Sequence, residues 1–331
     1  MNKLIFKFFY GSSKLLLLCL VTILIIGCGV TGKAVKEIRE TSESPQVYFC
    51  PRDDCGKALE NQIKAANFSV HCALYDLDLA NVANALSGKA GMVDVKLVID
   101  SSNHDEKLKL RNLRMDDDKQ LMHNKFCIID SDMVITGSFN PTFNDNNRNN
   151  NNMLVLRSRT LAKNYEEEFD ELWSGKFGGG SAAKNQKFYL NGILVENYFC
   201  PEDKCASRII ALIRDAESSV YFMSFSFTNE GIADALIRKE GLDIRGIFDS
   251  SQASSKFSQL KRMKEFGLNV KKDSSKYKLH HKVFIIDNGT VVTGSFNPTL
   301  SADTKNDENV IVIHDKKIAE LFLDEFDTLW E

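Results

Sequence analysis

Two histidine–lysine pairs are the residues best placed to do chemistry in this sequence. His123 and Lys125, followed by Asp130, and His280 and Lys282, followed by Asp287, repeat one spacing, His-x-Lys-x-x-x-x-Asp. Residues two apart on a strand share a face, so each pair would set an imidazole beside an ammonium. Downstream of each comes Gly-Ser-Phe-Asn-Pro-Thr, which contains Ser138 and Asn140 in one copy and Ser295 and Asn297 in the other. The glycine allows a tight turn. Imidazole, ammonium, hydroxyl and amide together form a phosphate-binding set. One such half-site cannot supply a separate nucleophile and acid, whereas two facing half-sites can. One histidine would attack phosphorus and the other would protonate the leaving oxygen. The lysines and asparagines would stabilise charge on the phosphoryl oxygens. A lone His-x-Lys is common on exposed strands. A second copy in matched context excludes chance and leaves a catalytically silent duplicate as the alternative, against which stands the survival of every core polar position in both copies.

The elements that must position these groups are also duplicated. VYFCPRDDC matches NYFCPEDKC, HNKFCIIDSDMVITGSFNPT matches HHKVFIIDNGTVVTGSFNPT, and NYEEEFDELW matches LFLDEFDTLW. The offset is 150 residues at the cysteines and 157 from the histidines onward, so the second copy has extra residues before its histidine. The repeats are expected at 47–173 and 191–331, with linkers at 31–46 and 174–190. The asparagine-rich run Asn144–Asn152 reads as a polar loop without packing. Strands are expected at 69–74, 93–99, 125–129, 133–136 and 153–156, with counterparts at 219–225, 243–248, 282–286, 290–293 and 310–313. Helices are expected at 58–66, 79–86, 208–216 and 231–239, and an amphipathic helix closes each copy. Alternating strands and helices predict an α/β fold with mixed sheets, the two repeats packing as a pseudo-dimer.

Hydrophobic residues at 43% and charged residues at 26% are globular values. A formal net charge of −3 gives no bulk attraction for nucleic acid. The segment Lys256–Lys282 is locally basic. For most of its lysines a solvated helix face is the plain reading, and a rim drawing polyanions to the site is the functional one. At the N-terminus, Lys3, Lys7 and Lys14 precede an apolar run from Leu15 to Ile26. Its length suits a signal-peptide core better than a membrane span. Ile25-Ile26-Gly27-Cys28 resembles a lipoprotein cleavage box, so Cys28 is a lipidation candidate; an uncleaved anchor is the other option. Either puts the body on the outer face of the membrane or beyond it. Cysteine usage agrees with export. Cys50/Cys55 and Cys200/Cys205 each follow Tyr-Phe-Cys-Pro-x-x-x-Cys, read as local disulfides, with reduced thiols or zinc as alternatives. Cys72 and Cys127 read as unpaired core residues.

The duplicated motif resembles the phospholipase D superfamily over residues 47–331, and each half is most similar to its small secreted bacterial endonuclease subgroup. The resemblance implies a phosphohistidine intermediate, no metal or other cofactor, and one site shared by two halves, so that a monomer suffices. It transfers the catalytic pair to His123 and His280, and phosphate contacts to Lys125, Asn140, Lys282 and Asn297, with Ser138 and Ser295 beside them. Asp130 and Asp287 complete the motif but look structural, at the far end of the strand. In that subgroup a glutamate eleven residues after the motif asparagine orients the histidine. Glu308 fits that place, and Asn151 stands there in the first copy. A carboxylate raises an imidazole pKa, so His123 is expected to attack and His280, paired with Glu308, to be the acid. The substrate is expected to be a phospholipid headgroup ester, with DNA or RNA as the alternative and a non-catalytic phosphate-binding module as the third reading.

Overall fold

The structure, a computed structural model, describes residues 37–331 apart from Lys107 and Lys109. The apolar run Leu15–Ile26, Cys19 and Cys28 lie outside the described residues. Among the described residues no helix is long and apolar enough to cross a membrane.

Each repeat builds one mixed sheet. In the first, β2 (Gln46–Cys50), β3 (Ser69–Leu74), β4 (Asp94–Ile99), β5 (Leu113–Met115), β6 (Lys125–Ile129), β7 (Met133–Gly137) and β8 (Asn151–Arg157) lie in the order β2-β8-β7-β6-β3-β4-β5. Strands β3, β4 and β5 are parallel and the other pairs antiparallel. The second repeat reproduces this order with β10 (Ile193–Cys200), β16 (Glu308–His314), β15 (Thr290–Gly294), β14 (Lys282–Ile286), β11 (Ser219–Ser224), β12 (Asp243–Phe248) and β13 (Asn269–Lys272). Both segments read as linkers contribute a strand to it. β1 (Arg39–Glu40) pairs in parallel with β9 (Lys187–Leu190), which hairpins onto β10. The turn is Asn191-Gly192, both with positive φ, the residue pair a two-residue hairpin prefers.

Side-chain alternation gives each sheet two apolar faces, one toward a shared central core and one toward an outer core of its own. In β6, Phe126 and Ile128 enter the central core, while Cys127 and Ile129 enter an outer one. In β14, Val283 and Ile285 face the centre and Phe284 and Ile286 face outward. The outer cores are covered by α1 (Cys55–Ala65) and α2 (Ala80–Lys89) in the first repeat, and by α5 (Cys205–Asp215), α6 (Glu230–Ile237) and α7 (Leu260–Glu265) in the second. The central core is shared by both sheets and by the closing helices α4 (Arg159–Ser174) and α9 (Lys316–Trp330). Tyr165, Phe169, Phe322 and Phe326 supply its largest helical side chains.

The expected disulfides Cys50–Cys55 and Cys200–Cys205 are present. A third, Cys72–Cys127, corrects the reading of these two as unpaired. β3 and β6 run antiparallel in a register that sets Cys72 directly opposite Cys127, with Cα atoms 4.1 Å apart. Register is a tertiary property that the separate apolar runs do not encode. The bond closes a loop of 55 residues. Replacing both cysteines by alanine should therefore cost about 3–4 kcal/mol, read as a lower urea midpoint.

The asparagine-rich run also departs from expectation. It forms a short helix, α3 (Phe143–Asn147), and then enters β8, with Asn149, Asn151 and Asn152 buried. The last threonine of each Gly-Ser-Phe-Asn-Pro-Thr segment caps the helix that follows. Thr142 accepts the Asp145 N–H, and Thr299 accepts the Ala302 N–H at the start of α8 (Leu300–Thr304).

Candidate active site

The two repeats meet along a pseudo-twofold set of hydrogen bonds centred on the motifs. The His123 N–H donates to the Asp307 carbonyl at 3.0 Å, and the His280 N–H donates to the Asn150 carbonyl at 2.7 Å. Thr136 Oγ1 donates to Asn309 Oδ1, and Thr293 Oγ1 donates to Asn152 Oδ1. Asn309 Nδ2 in turn donates to Asn124 Oδ1, while Asn152 Nδ2 donates to His281 Nδ1. The residue between histidine and lysine thus serves as an acceptor for the opposite repeat in both halves. Strands β6 and β14 start at the lysines, so each histidine lies just ahead of its strand, in the segment that pairs across the interface.

His123 and His280 line one cavity of about 670 Å³, together with Asn140, Asn297, Asp145 and Glu308. Lys125 and Lys282 lie behind them, buried, each donating from Nζ to the carbonyl of its own motif histidine at 2.7 and 2.8 Å. Tyr75 packs edge-on against His123 and Phe225 against His280.

The histidine-orienting carboxylates are crossed between repeats, which corrects the sequence expectation. Glu308, in the second repeat, holds His123 of the first, with Nδ1 to Oε2 at 2.8 Å. His280 instead faces Asp145 of the first repeat, with Nδ1 to Oδ2 at 3.1 Å. Both Nδ1 atoms face a carboxylate of the opposite repeat, hydrogen-bonded in His123 and at ion-pair distance in His280, which leaves Nε2 on each ring for the cavity. Asn151 does not touch a histidine. Its Nδ2 donates to the carbonyls of Asp145 and Asn149 and so holds the segment that carries Asp145. Asp145 corresponds to Ala302 by the 157-residue offset, and Asn151 to Glu308. The carboxylate has therefore moved six residues between the copies while still reaching a histidine of the opposite repeat. The signal was available in the sequence: Asp145 is the one acid in the asparagine run, three residues after a capping threonine.

Ser138 and Ser295 do not reach the cavity either. Ser138 Oγ accepts the Asn152 N–H. Ser295 Oγ accepts the Asn309 N–H and donates to Glu308 Oε2 at 2.6 Å, fixing the carboxylate that holds His123. Asp130 and Asp287 stand at the far end of their strands, away from the cavity. Asp130 accepts the N–H groups of Asn67, Phe68 and Ser69, and Asp287 those of Glu217, Ser218 and Ser219. Their place is structural. Of the basic segment, Lys276 and Lys278 reach the cavity wall, while Lys261 and Arg262 pair with Glu265 and Asp234 on helix faces.

Burial dominates the electrostatics, and the two halves respond differently. Burial, with Lys125 and Lys282 nearby, pushes His123 well below the ordinary histidine range. Burial lowers His280 to about 4, with Asp145 opposing the shift. Burial disfavours ionised Asp145, yet the facing His280 and hydrogen bonds from Asn149 and Asn140 hold its carboxyl well below the usual range. Glu308, buried with less compensation from Lys125, is raised to about 8. Burial lowers Lys125 to about 8 and takes Lys282 well below its ordinary value. One histidine is thus backed by a firm anion and the other by a carboxyl that prefers its proton.

This fold and this crossed site define a class, and comparison with known proteins agrees with it. Residues 59–173 and 209–330 both match the family described as cardiolipin synthase, PLD-like domain. The chain belongs to this phospholipase D-like family. A phospholipase D from Rickettsia prowazekii (strain Madrid E) is 39% identical over 131 residues, covering 39% of this chain and 64% of that protein. A mitochondrial cardiolipin hydrolase from Chlamydomonas reinhardtii is 30% identical over 179 residues, 46% of this chain and 80% of that one. Among solved structures, phosphatidylserine synthase from Haemophilus influenzae Rd KW20 aligns over 86% of each chain with a TM-score of 0.65 at 12% identity, a likeness of fold.

Proposed function

We propose that this chain is a phosphodiesterase of phospholipase D type that cleaves a phospholipid headgroup ester at one site shared by both repeats. The observation that carries this reading is the pair of imidazoles in one cavity, each with a carboxylate from the opposite repeat on Nδ1 and a buried lysine behind it. In the first step the lone pair of His123 Nε2 attacks phosphorus. The bond from phosphorus to the leaving oxygen breaks, and that oxygen takes the proton of His280 Nε2. In the second step His280 removes a proton from water, whose oxygen displaces His123 from phosphorus.

His280 is assigned the acid because the ionised Asp145 favours its charged form once an anionic diester enters, and His123 is assigned the nucleophile because it is held neutral. The lysine charges and the Asn140 and Asn297 amides stabilise the phosphoryl oxygens. The two steps as written use no metal, so turnover is expected to survive EDTA. The N-terminal apolar run would hold the body against the outer face of a membrane, beside its substrate. Assaying the purified full chain in EDTA against a diester dye, phosphatidylcholine, cardiolipin, plasmid DNA and RNA tests the reading. Cleavage of lipid supports it, whereas cleavage of nucleic acid alone would overturn the substrate assignment.

The pH profile follows from Lys125. Its ammonium is charged below about pH 8 and neutral above, so kcat/KM, already declining above about 4 as His280 loses its proton, should fall more steeply as pH rises through about 8. An arginine at this position keeps its proton. Lys125→Arg, whatever its absolute rate, is therefore expected to move that limb upward, and an unmoved limb would assign it to Glu308 instead.

A further inference from the structure

Around the mouth of the cavity, large apolar side chains stand in solvent at matched places in the two repeats. Phe143 is 52% exposed and Leu300 is 68% exposed. Each is the first residue of the short helix behind its Gly-Ser-Phe-Asn-Pro-Thr segment. Both are flanked by residues that line the cavity: Thr142 and Asn144 around Phe143, Thr299 and Ser301 around Leu300. Leu121 and Tyr277, 39% and 38% exposed, lie in the cavity wall itself. A single exposed leucine means little, but a group of them rimming one opening marks a contact surface.

Cations are interleaved with these side chains. Five residues after each apolar one comes a base, Arg148 after Phe143 and Lys305 after Leu300. The Arg148 guanidinium sits 5.1 Å from the Phe143 ring and 5.8 Å from the Tyr277 ring, linking the two halves of the rim. Lys276 and Lys278 flank Tyr277. Against them stand Asp76 in the cavity wall and Asp78, whose carboxylate accepts the Phe143 N–H.

We propose that this rim is a membrane-docking surface, in which Phe143 and Leu300 enter the acyl boundary of an anionic phospholipid bilayer and the surrounding cations meet its headgroups. The inference rests on the phospholipid reading above and deepens it. Aliphatic Leu300 and Leu121 fit hydrocarbon and offer no face for base stacking, which favours a bilayer over a nucleic-acid strand. Apolar tips ringed by basic residues are the pattern of interfacial proteins, which sink roughly 5–10 Å into the headgroup boundary. Docked in this way, the cavity mouth would open onto the layer that contains the diester.

The test uses the full chain reconstituted with phosphatidylglycerol–phosphatidylcholine vesicles carrying brominated acyl chains. Tryptophan is placed singly by Phe143→Trp or Leu300→Trp, and by Phe68→Trp as the control, with Trp173 and Trp330 as the common background. Phe68 is 76% exposed but lies beside Asp130 at the far end of the strands. Brominated lipid is expected to quench the tryptophans at 143 and 300 at least about twofold more than the one at 68. Equal quenching at all three, or none at 143 and 300, overturns the proposal. So does a response of 143 and 300 to a single-stranded oligonucleotide without one to lipid. Hydrolysis of a soluble diester dye is read in the same samples. Dye cleavage without quenching refutes the rim and leaves the chemistry standing; quenching without dye cleavage does the reverse.

Discussion

Alanine at His123 or at His280 is expected to lower turnover of a diester by roughly 10³-fold or more, and alanine at both to lower it little further. In the proposed mechanism the two rings act in sequence on one phosphorus. Without His123 no covalent intermediate would form, and without His280 the leaving oxygen would depart unprotonated. The second loss therefore removes a contribution that the first has already made unusable. Additive losses would mean two independent sites. The single variants also differ in what they accumulate. A good leaving group such as p-nitrophenolate needs little protonation, so His280→Ala should still form the intermediate on such a diester and then fail to release it. Enzyme denatured at alkaline pH, where a histidine N–P bond survives, should then carry the phosphoryl group on His123. Phosphate recovered on His280 would reverse the assignment.

The second large effect concerns the crossed carboxylates. Asp145→Ala is expected to reduce kcat by about 10²-fold with little change in KM, the usual loss when the partner orienting a reactive histidine is removed. It removes the anion that stabilises charged His280, so the loss should be smallest with the best leaving groups. Glu308→Gln should cost less, about tenfold, because a carboxyl raised to about 8 is already neutral near pH 7 and an amide can still orient the ring. The discriminating variant adds Asn151→Glu to Asp145→Ala. The second repeat carries this combination, Ala302 with Glu308, so the double variant rebuilds in one half what the other half holds. Partial recovery of kcat is expected, whereas a further loss would show that the two positions are not equivalent in space.

Much of this site was legible in the sequence because its grammar is local. The strands at 69–74, 125–129, 243–248 and 282–286 have the bounds their apolar runs suggested. Spacing pointed to both histidines and both asparagines, which line one cavity, and to both lysines, which lie buried outside its lining. What failed was set by contacts between distant segments. The partner of each imidazole comes from the other repeat, so Glu308 holds His123 in place of the expected His280. Asp145 was passed over because asparagine-rich composition suggests solvation, whereas here amides bond to amides and carboxylates inside the interface. Ser138 and Ser295 were read as facing phosphate, yet their hydroxyls are taken by the strands beside them. Cys72 and Cys127 depended on a register no single strand reveals.

The crossed arrangement has a consequence for how such a site changes over time. In an assembly of two identical chains every substitution occurs on both sides at once, so a carboxylate can relocate only if both copies tolerate the intermediate together. Joining the halves in one polypeptide lifts that constraint. One side could keep Ala302 and Glu308 while the other came to hold Asp145 and Asn151, and each histidine could specialise for one half of the reaction. Neither half could then be discarded, because each carries the acid that the other's histidine requires. Two halves held in one chain in this way would give up the freedom to work as interchangeable subunits for the freedom to divide the labour.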